Sequence, residues 1–192
     1  MKQGKLFAVV PQLPAGMLYV PEFISREEEA GLLAEIAELP LHEAQYKEFT
    51  AKRRIMSYGA SYDFSSNELI PAGEIPPFLM PLRGRIAEWV KVPASQFTHA
   101  LIAEYKTGTQ LGWHRDVPDF EFIVGVSLAG SACMRLRRYP PTKGRNVETL
   151  SIDLEPRSAY VMRGEARWGW QHSIPPTKTL RYSITFRTRR IA

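Results

Sequence analysis

Residues 122–138 read FIVGVSLAGSACMRLRR. The apolar run Phe122–Leu128 is rich in β-formers, Ala129-Gly130-Ser131 makes a turn, and Cys133–Arg138 alternates Met134 and Leu136 with Arg135 and Arg137. Period-two alternation marks a strand with one face buried. Working outward, the same grammar repeats in Thr98–Tyr105, Thr149–Leu154, Ala159–Arg163 and Leu180–Thr188. Lys106-Thr107-Gly108 and Pro140-Pro141-Thr142-Lys143-Gly144 read as turns between them. Short strands at this spacing predict a double-sheet sandwich or barrel, not a parallel α/β sheet.

Upstream, two helices are signalled. Ser25 stands three residues before Glu28, a capping-box spacing, and Leu32, Leu33, Ile36 and Ala37 form one face before Leu39-Pro40. A second helix begins near Pro76-Pro77 and carries Leu79, Leu82, Ile86, Trp89 and Val90 on its apolar face. Both are expected to pack outside the sheets as buttresses. Between them Arg53–Ser66 reads as strand and turn. The expected organisation is one domain over residues 1–192, mainly β with flanking helices. Helices and a lid-like segment occupy about 18–95 and the β core about 97–188.

The 192 residues carry 25 Lys and Arg against 20 Asp and Glu, so the basic balance mildly favours an anionic partner. A chain of this length buries about 70% of its unfolded surface and needs no disulfide. Cys133 alone allows none, nor a Cys-based zinc cage, which fits a cytoplasmic protein. The longest uncharged stretch, Leu6–Pro21, is broken by three prolines, so neither a membrane span nor a signal peptide is expected. A monomer is expected.

Four histidines exist. His114 and Asp116, two apart, share a face if extended and can grip one metal ion. His172 can close the triangle from another strand. Two His and one carboxylate are the facial triad of non-haem Fe(II) oxygenases; the alternative is a hydrogen-bonded structural pair. His42 and His99 have no partner at ligand spacing and receive no role. Residues 181–187 then read Arg-Tyr-Ser-Ile-Thr-Phe-Arg, which sets Arg181, Ser183, Thr185 and Arg187 on one face. That face is either solvated or suited to hold a small dicarboxylate such as 2-oxoglutarate.

Taken in order, Tyr105, Trp113-His114-Arg115-Asp116, Gly164-Glu165-Ala166-Arg167, Gln171-His172 and the Arg181–Arg187 strand resemble the AlkB family of Fe(II)- and 2-oxoglutarate-dependent dioxygenases. Leu18–Ser25 is similar to the family's entry into its first helix, and Tyr58-Gly59 to its lid. The resemblance covers most of residues 18–188. It implies a double-stranded β-helix (jelly-roll) core, with Fe(II), 2-oxoglutarate and O2 as metal and cosubstrates. His114, Asp116 and His172 would ligate the metal. Arg181 would pair with the distal carboxylate of 2-oxoglutarate, Arg187 would help near its metal-bound end, Tyr105 would hydrogen-bond it, and Ser183 and Thr185 would line the same face. The implied reaction oxidatively decarboxylates 2-oxoglutarate and hydroxylates a C–H bond; a hydroxylated N-methyl group then leaves as formaldehyde.

Two positions depart from the family's commonest pattern: Ala103 and Ser183 replace asparagines beside the cosubstrate. Val117-Pro118 follows the triad where acids that read the base usually stand, with Asp119 next. The implied substrate is an alkylated base in single-stranded DNA or RNA, the alternative a protein side chain or small molecule. Arg53, Arg54, Met56, Tyr58 and Tyr62 are expected either as a lid that stacks on an extruded base or as an amphipathic strand with its tyrosines packed on a helix. Trp113 and Asp119 complete the candidate substrate contacts. Arg135, Arg137 and Arg138 are either a binding groove or a solvated sheet face.

Overall fold

A strand running from Arg181 to Arg189 (β13) pairs antiparallel along its length with Phe97–Tyr105 (β6) on one side and Phe120–Leu128 (β8) on the other. This computed structural model describes residues 13–46, 49–141 and 148–190. The β8 strand continues to Ala159–Met162 (β11) and Met17–Val20 (β1), while β6 continues to Phe49–Tyr58 (β3) and His42–Tyr46 (β2). The seven-stranded sheet therefore runs β1-β11-β8-β13-β6-β3-β2. A second sheet of four strands runs Leu150–Leu154 (β10), Ala132–Arg138 (β9), Trp170–Ile174 (β12) and Leu111–His114 (β7). The hairpin Ala60–Asp63 (β4) with Glu68–Pro71 (β5) extends from β3.

Two apolar clusters divide the molecule. On one face of the large sheet, Ala100, Ile102, Val124, Val126, Ile184 and Phe186 meet Leu32 and Ile36 of helix Arg26–Ala37 (α1) and Leu82 and Ile86 of helix Met80–Val90 (α2). On the other, Ile123, Tyr160 and Met162 meet Met134, Leu136, Ile152 and Leu154 of the small sheet. Non-directional burial of apolar area thus seats the helices on one side of β13 and the second sheet on the other. The capping box is made: Ser25 Oγ accepts from Glu28 N–H at 3.2 Å and the Glu28 carboxylate accepts from Ser25 N–H at 2.8 Å.

The polar face of β13 is not solvated. Arg181 is 2% exposed, Ser183 7% and Thr185 6%, because this face looks into the space between the sheets. Glycine opens that space at one point: a Cβ on Gly125 would lie 2.4 Å from the Tyr160 ring, its cross-strand partner. Several short strands lie outside the predicted ones, and two of them bear on the site. β7 and β12 are four and five residues long and mix Gly, Trp, Gln and His, so neither offers an apolar period, yet they carry His114 and His172. The turn expected at 140–144 extends outside the described residues. No helix among the described residues is long and apolar enough to cross a membrane.

Candidate active site

Pairing of β12 with β7 places His172 directly across from His114. Asp116 follows two residues beyond the end of β7, and one ligand atom from each of the three lies within 4.8 Å of the others. His114 Nδ1 is 2.9 Å from the Gly112 carbonyl, so in the neutral ring it donates there and leaves Nε2 as the lone-pair nitrogen. His172 Nε2 stands 3.7 Å from Asp116 Oδ2. Burial pushes the His172 ring down to about 3 and lowers His114 as well. Burial alone would raise the Asp116 carboxyl, but Arg187 and then His172 outweigh it and hold it well below the usual range. Two neutral imidazoles and one carboxylate are the deprotonated donors a divalent ion requires.

Arg187 does something other than expected. Its Nε and Nη2 both reach Asp116 Oδ1, at 2.9 and 2.7 Å, and its Nη1 lies 3.4 Å from His99 Nδ1. All three nitrogens already have protein partners, so its first task is to hold the carboxylate. The reason is register: Arg187 sits opposite His99 on β6, which places both side chains behind Asp116. His99, given no role from sequence, is buried, and burial followed by Arg187 lowers it to about 3, so it stays a neutral acceptor.

Arg181 fits an anionic cosubstrate. Its guanidinium is buried and has no carboxylate partner among the described residues; a buried, unpaired cation is costly unless an anion joins it. Ser127 Oγ accepts from its Nε at 2.9 Å, and the ring of Tyr105, its cross-strand partner, lies 5.1 Å away. Tyr160, pushed up to about 12 by burial, remains a neutral phenol nearby. The asparagines replaced by Ala103 and Ser183 therefore do not leave Arg181 untethered, since Ser127 holds it. Ser127 was invisible in the sequence because only the β8–β13 register brings it there. Arg53 reaches in from β3 and donates from Nη1 to the Tyr105 hydroxyl at 3.4 Å.

Alternation sets three of the candidate substrate residues on faces turned away from the triad. Tyr58 and Met56 pair with Ala100 and Ile102 and share their helix-side face; Tyr58 packs into that core. They point away from the triad, whereas Arg53, one residue out of phase, points toward it. Trp113 lies on the opposite face of β7 from His114, with Arg137 4.4 Å and Arg135 5.2 Å from its ring. Asp119 is not among the converging ligands; its carbonyl accepts from the Arg190 N–H. The Val117-Pro118 segment is instead pinned from behind. Arg167, 2% exposed, donates to the carbonyls of Asp116, Val117 and Phe120 at 3.1, 2.7 and 3.1 Å.

The family model described as 2OG-Fe(II) oxygenase superfamily matches residues 16–192. The chain belongs to the 2OG-Fe(II) oxygenase superfamily. This oxygenase is 29% identical over 184 residues to the Arabidopsis thaliana "Alkylated DNA repair protein ALKBH8 homolog", with 85% of this chain and 51% of that protein covered. It is 31% identical over 175 residues to the Mus musculus "tRNA (carboxymethyluridine(34)-5-O)-methyltransferase ALKBH8", covering 86% of this chain and 25% of the mouse protein. The chain thus spans about half the length of the first relative and a quarter of the second. In fold it is similar to the solved structure of OsALKBH1, with TM-score 0.72 and 16% identity over 92% of this chain and 98% of that one. The oxygenase is an AlkB-family dioxygenase that uses Fe(II), 2-oxoglutarate and O2. His114, Asp116 and His172 would hold Fe(II), which would supply the activation of O2 for oxidation of a C–H bond.

Proposed function

We propose that this dioxygenase oxidatively dealkylates bases in single-stranded nucleic acid, with His114, Asp116 and His172 as metal ligands and Arg181 and Tyr105 on the cosubstrate. The observation that carries the chemistry is the buried, unpaired Arg181 guanidinium on the same β13 face as Arg187, whose partner is the carboxylate ligand Asp116. The substrate class is supported by the two relatives, whose names place one at alkylated DNA and the other at tRNA. Arg53, on the interior face of β3, is the lid residue best placed to meet a phosphate or base. Val117-Pro118, in place of base-reading acids, favours a second reading in which the same chemistry acts on a protein side chain or small molecule.

The test is Fe(II)-dependent succinate release with and without a single-stranded oligonucleotide bearing N1-methyladenine, with the oligonucleotide followed by mass spectrometry. Stimulated turnover with loss of the methyl group is expected. Succinate release indifferent to every methylated strand would discard nucleic acid and favour the second reading.

A further inference from the structure

The outer face of the four-stranded sheet carries a second basic and aromatic surface, separate from the metal-bearing interior. Along β9, Met134 and Leu136 face inward while Arg135 and Arg137 face out, about 6.8 Å apart along the strand. Their guanidiniums share one platform, the Trp113 ring of β7. Among the described residues each is tethered through Nε: Arg137 to Gln171 Oε1 at 2.9 Å and Arg135 to Ser173 Oγ at 3.3 Å. Beside them Arg115 lies 3.7 Å over the ring of Tyr139, which is 42% exposed, and donates from Nη1 to the Trp168 carbonyl.

Among the described residues none of these three arginines has a carboxylate within 4 Å; Arg138, out of phase with them and across from Trp170, is the β9 arginine that is paired, with Glu165. Asp153 of β10 stands across from Cys133 and makes no ion pair with them. A merely solvated strand gains little by holding its arginines in stacks, since ordering long side chains costs entropy. Held this way, the guanidiniums keep their terminal N–H groups outward in a planar fork that matches a phosphodiester oxygen pair. Arginine interleaved with aromatics is also the composition that tracks a single strand, charge following the backbone and rings accepting bases. An acidic peptide would use the charge but not the rings.

We propose that this outer face, centred on Arg135, Arg137 and Trp113, holds the phosphates of a single-stranded nucleic acid flanking the nucleotide that enters the interior. It rests on the reading of nucleic acid as substrate. The path is short: β7 is the edge strand of the small sheet, and consecutive residues Trp113 and His114 face the two sides. A strand on the outer face turns round that edge to present one base to the metal.

Binding of unmodified, fluorescein-labelled oligouridylate and oligothymidylate, read by anisotropy across a salt series, tests this without turnover. Each phosphate contact on a single strand adds about 0.7 to the slope of log affinity against log salt. The double variant Arg135→Gln/Arg137→Gln should bind more weakly, with a slope shallower by about 1.4. Ser151→Glu, exposed on β10 opposite Arg135, places an acid beside it without disturbing the stacks and should weaken binding in the same direction even if the double variant fails to fold. Substrate-free 2-oxoglutarate turnover should be unchanged in both. The stronger of the two probes identifies the sugar preferred. Unaltered affinity and slope in the variants, no binding by the parent protein, or equal competition by polyglutamate at matched charge would each overturn the proposal. Arginine-dependent binding without demethylation removes the proposed reaction and leaves this surface standing; demethylation with unaltered binding in the variants does the reverse.

Discussion

Arg187 clamps one oxygen of Asp116 and leaves the other turned toward His172. Both Nε and Nη2 go to Oδ1, at 2.9 and 2.7 Å, while Oδ2 faces His172 Nε2 at 3.7 Å. Ordering one oxygen by an ion pair orients the second, the role that partners behind a metal ligand commonly fill.

Removing the clamp should therefore be felt twice. Arg187→Met is expected to lower divalent-metal affinity by about 10–100-fold in calorimetric titration with Mn(II). The metal-free protein should also lose about 3–5 kcal/mol in urea unfolding, because a buried carboxylate is left unpaired. Asp116→Asn/Arg187→Met should recover part of the stability and none of the metal binding. Unchanged metal affinity in Arg187→Met would contradict this account.

Arg181 and Ser127 should separate in the Michaelis constant for 2-oxoglutarate. Losing a hydrogen bond to a charged group costs about 1.5–3 kcal/mol, so Arg181→Met should raise KM by roughly 10–150-fold. Ser127→Ala releases only the Nε tether, and about 0.5–1.5 kcal/mol corresponds to roughly 2–13-fold. Steady-state assays varying 2-oxoglutarate check both values. A larger effect from Ser127 than from Arg181 would show that the anion binds elsewhere.

Tyr58 and Arg53, five residues apart on β3 and so on opposite faces, should behave as opposites. Tyr58→Ala, on the helix side, is expected to lower stability by about 2 kcal/mol with KM for a methylated oligonucleotide unchanged. Arg53→Gln, on the interior side, should raise that KM with little change in melting temperature. The reverse result would mean that β3 presents its other face to the site.

Acid should destabilise the metal-free protein through its buried histidines, beginning below about pH 6.5. His99 and His172 both ionise near 6.5 when exposed and are lowered to about 3 by burial in the fold. Between those values the unfolded chain binds protons that the folded chain refuses. Stability is then complete above 6.5 and falls as the pH drops toward 3, each ring adding a slope of up to about 1.4 kcal/mol per pH unit. Asp116, lowered from 3.8, contributes its loss only below that value. Urea midpoints at several pH values should show the decline, and His99→Gln should flatten it; a midpoint constant between pH 7 and pH 4 would rule it out.

Local pattern determined more of this protein than its length suggests. The alternation in Arg181–Arg187, the capping box at Ser25 and Glu28, and the strand runs Thr98–Tyr105 and Phe122–Leu128 are properties of neighbouring residues, so they are legible along the chain. The ordered His114, Asp116 and His172 carry the chemistry in their residue types. Pairing and facing are different. Whether Tyr58 or Arg53 looks inward depends on which residue of β6 each one meets, and a shift of one position reverses both. Ser127 under Arg181, His99 behind Arg187 and Arg167 beneath the Asp116–Phe120 segment are joined across 54, 88 and 47–51 residues of chain. Contacts at that separation are set by sheet register and by burial of the two apolar clusters, and only the tertiary structure decided them.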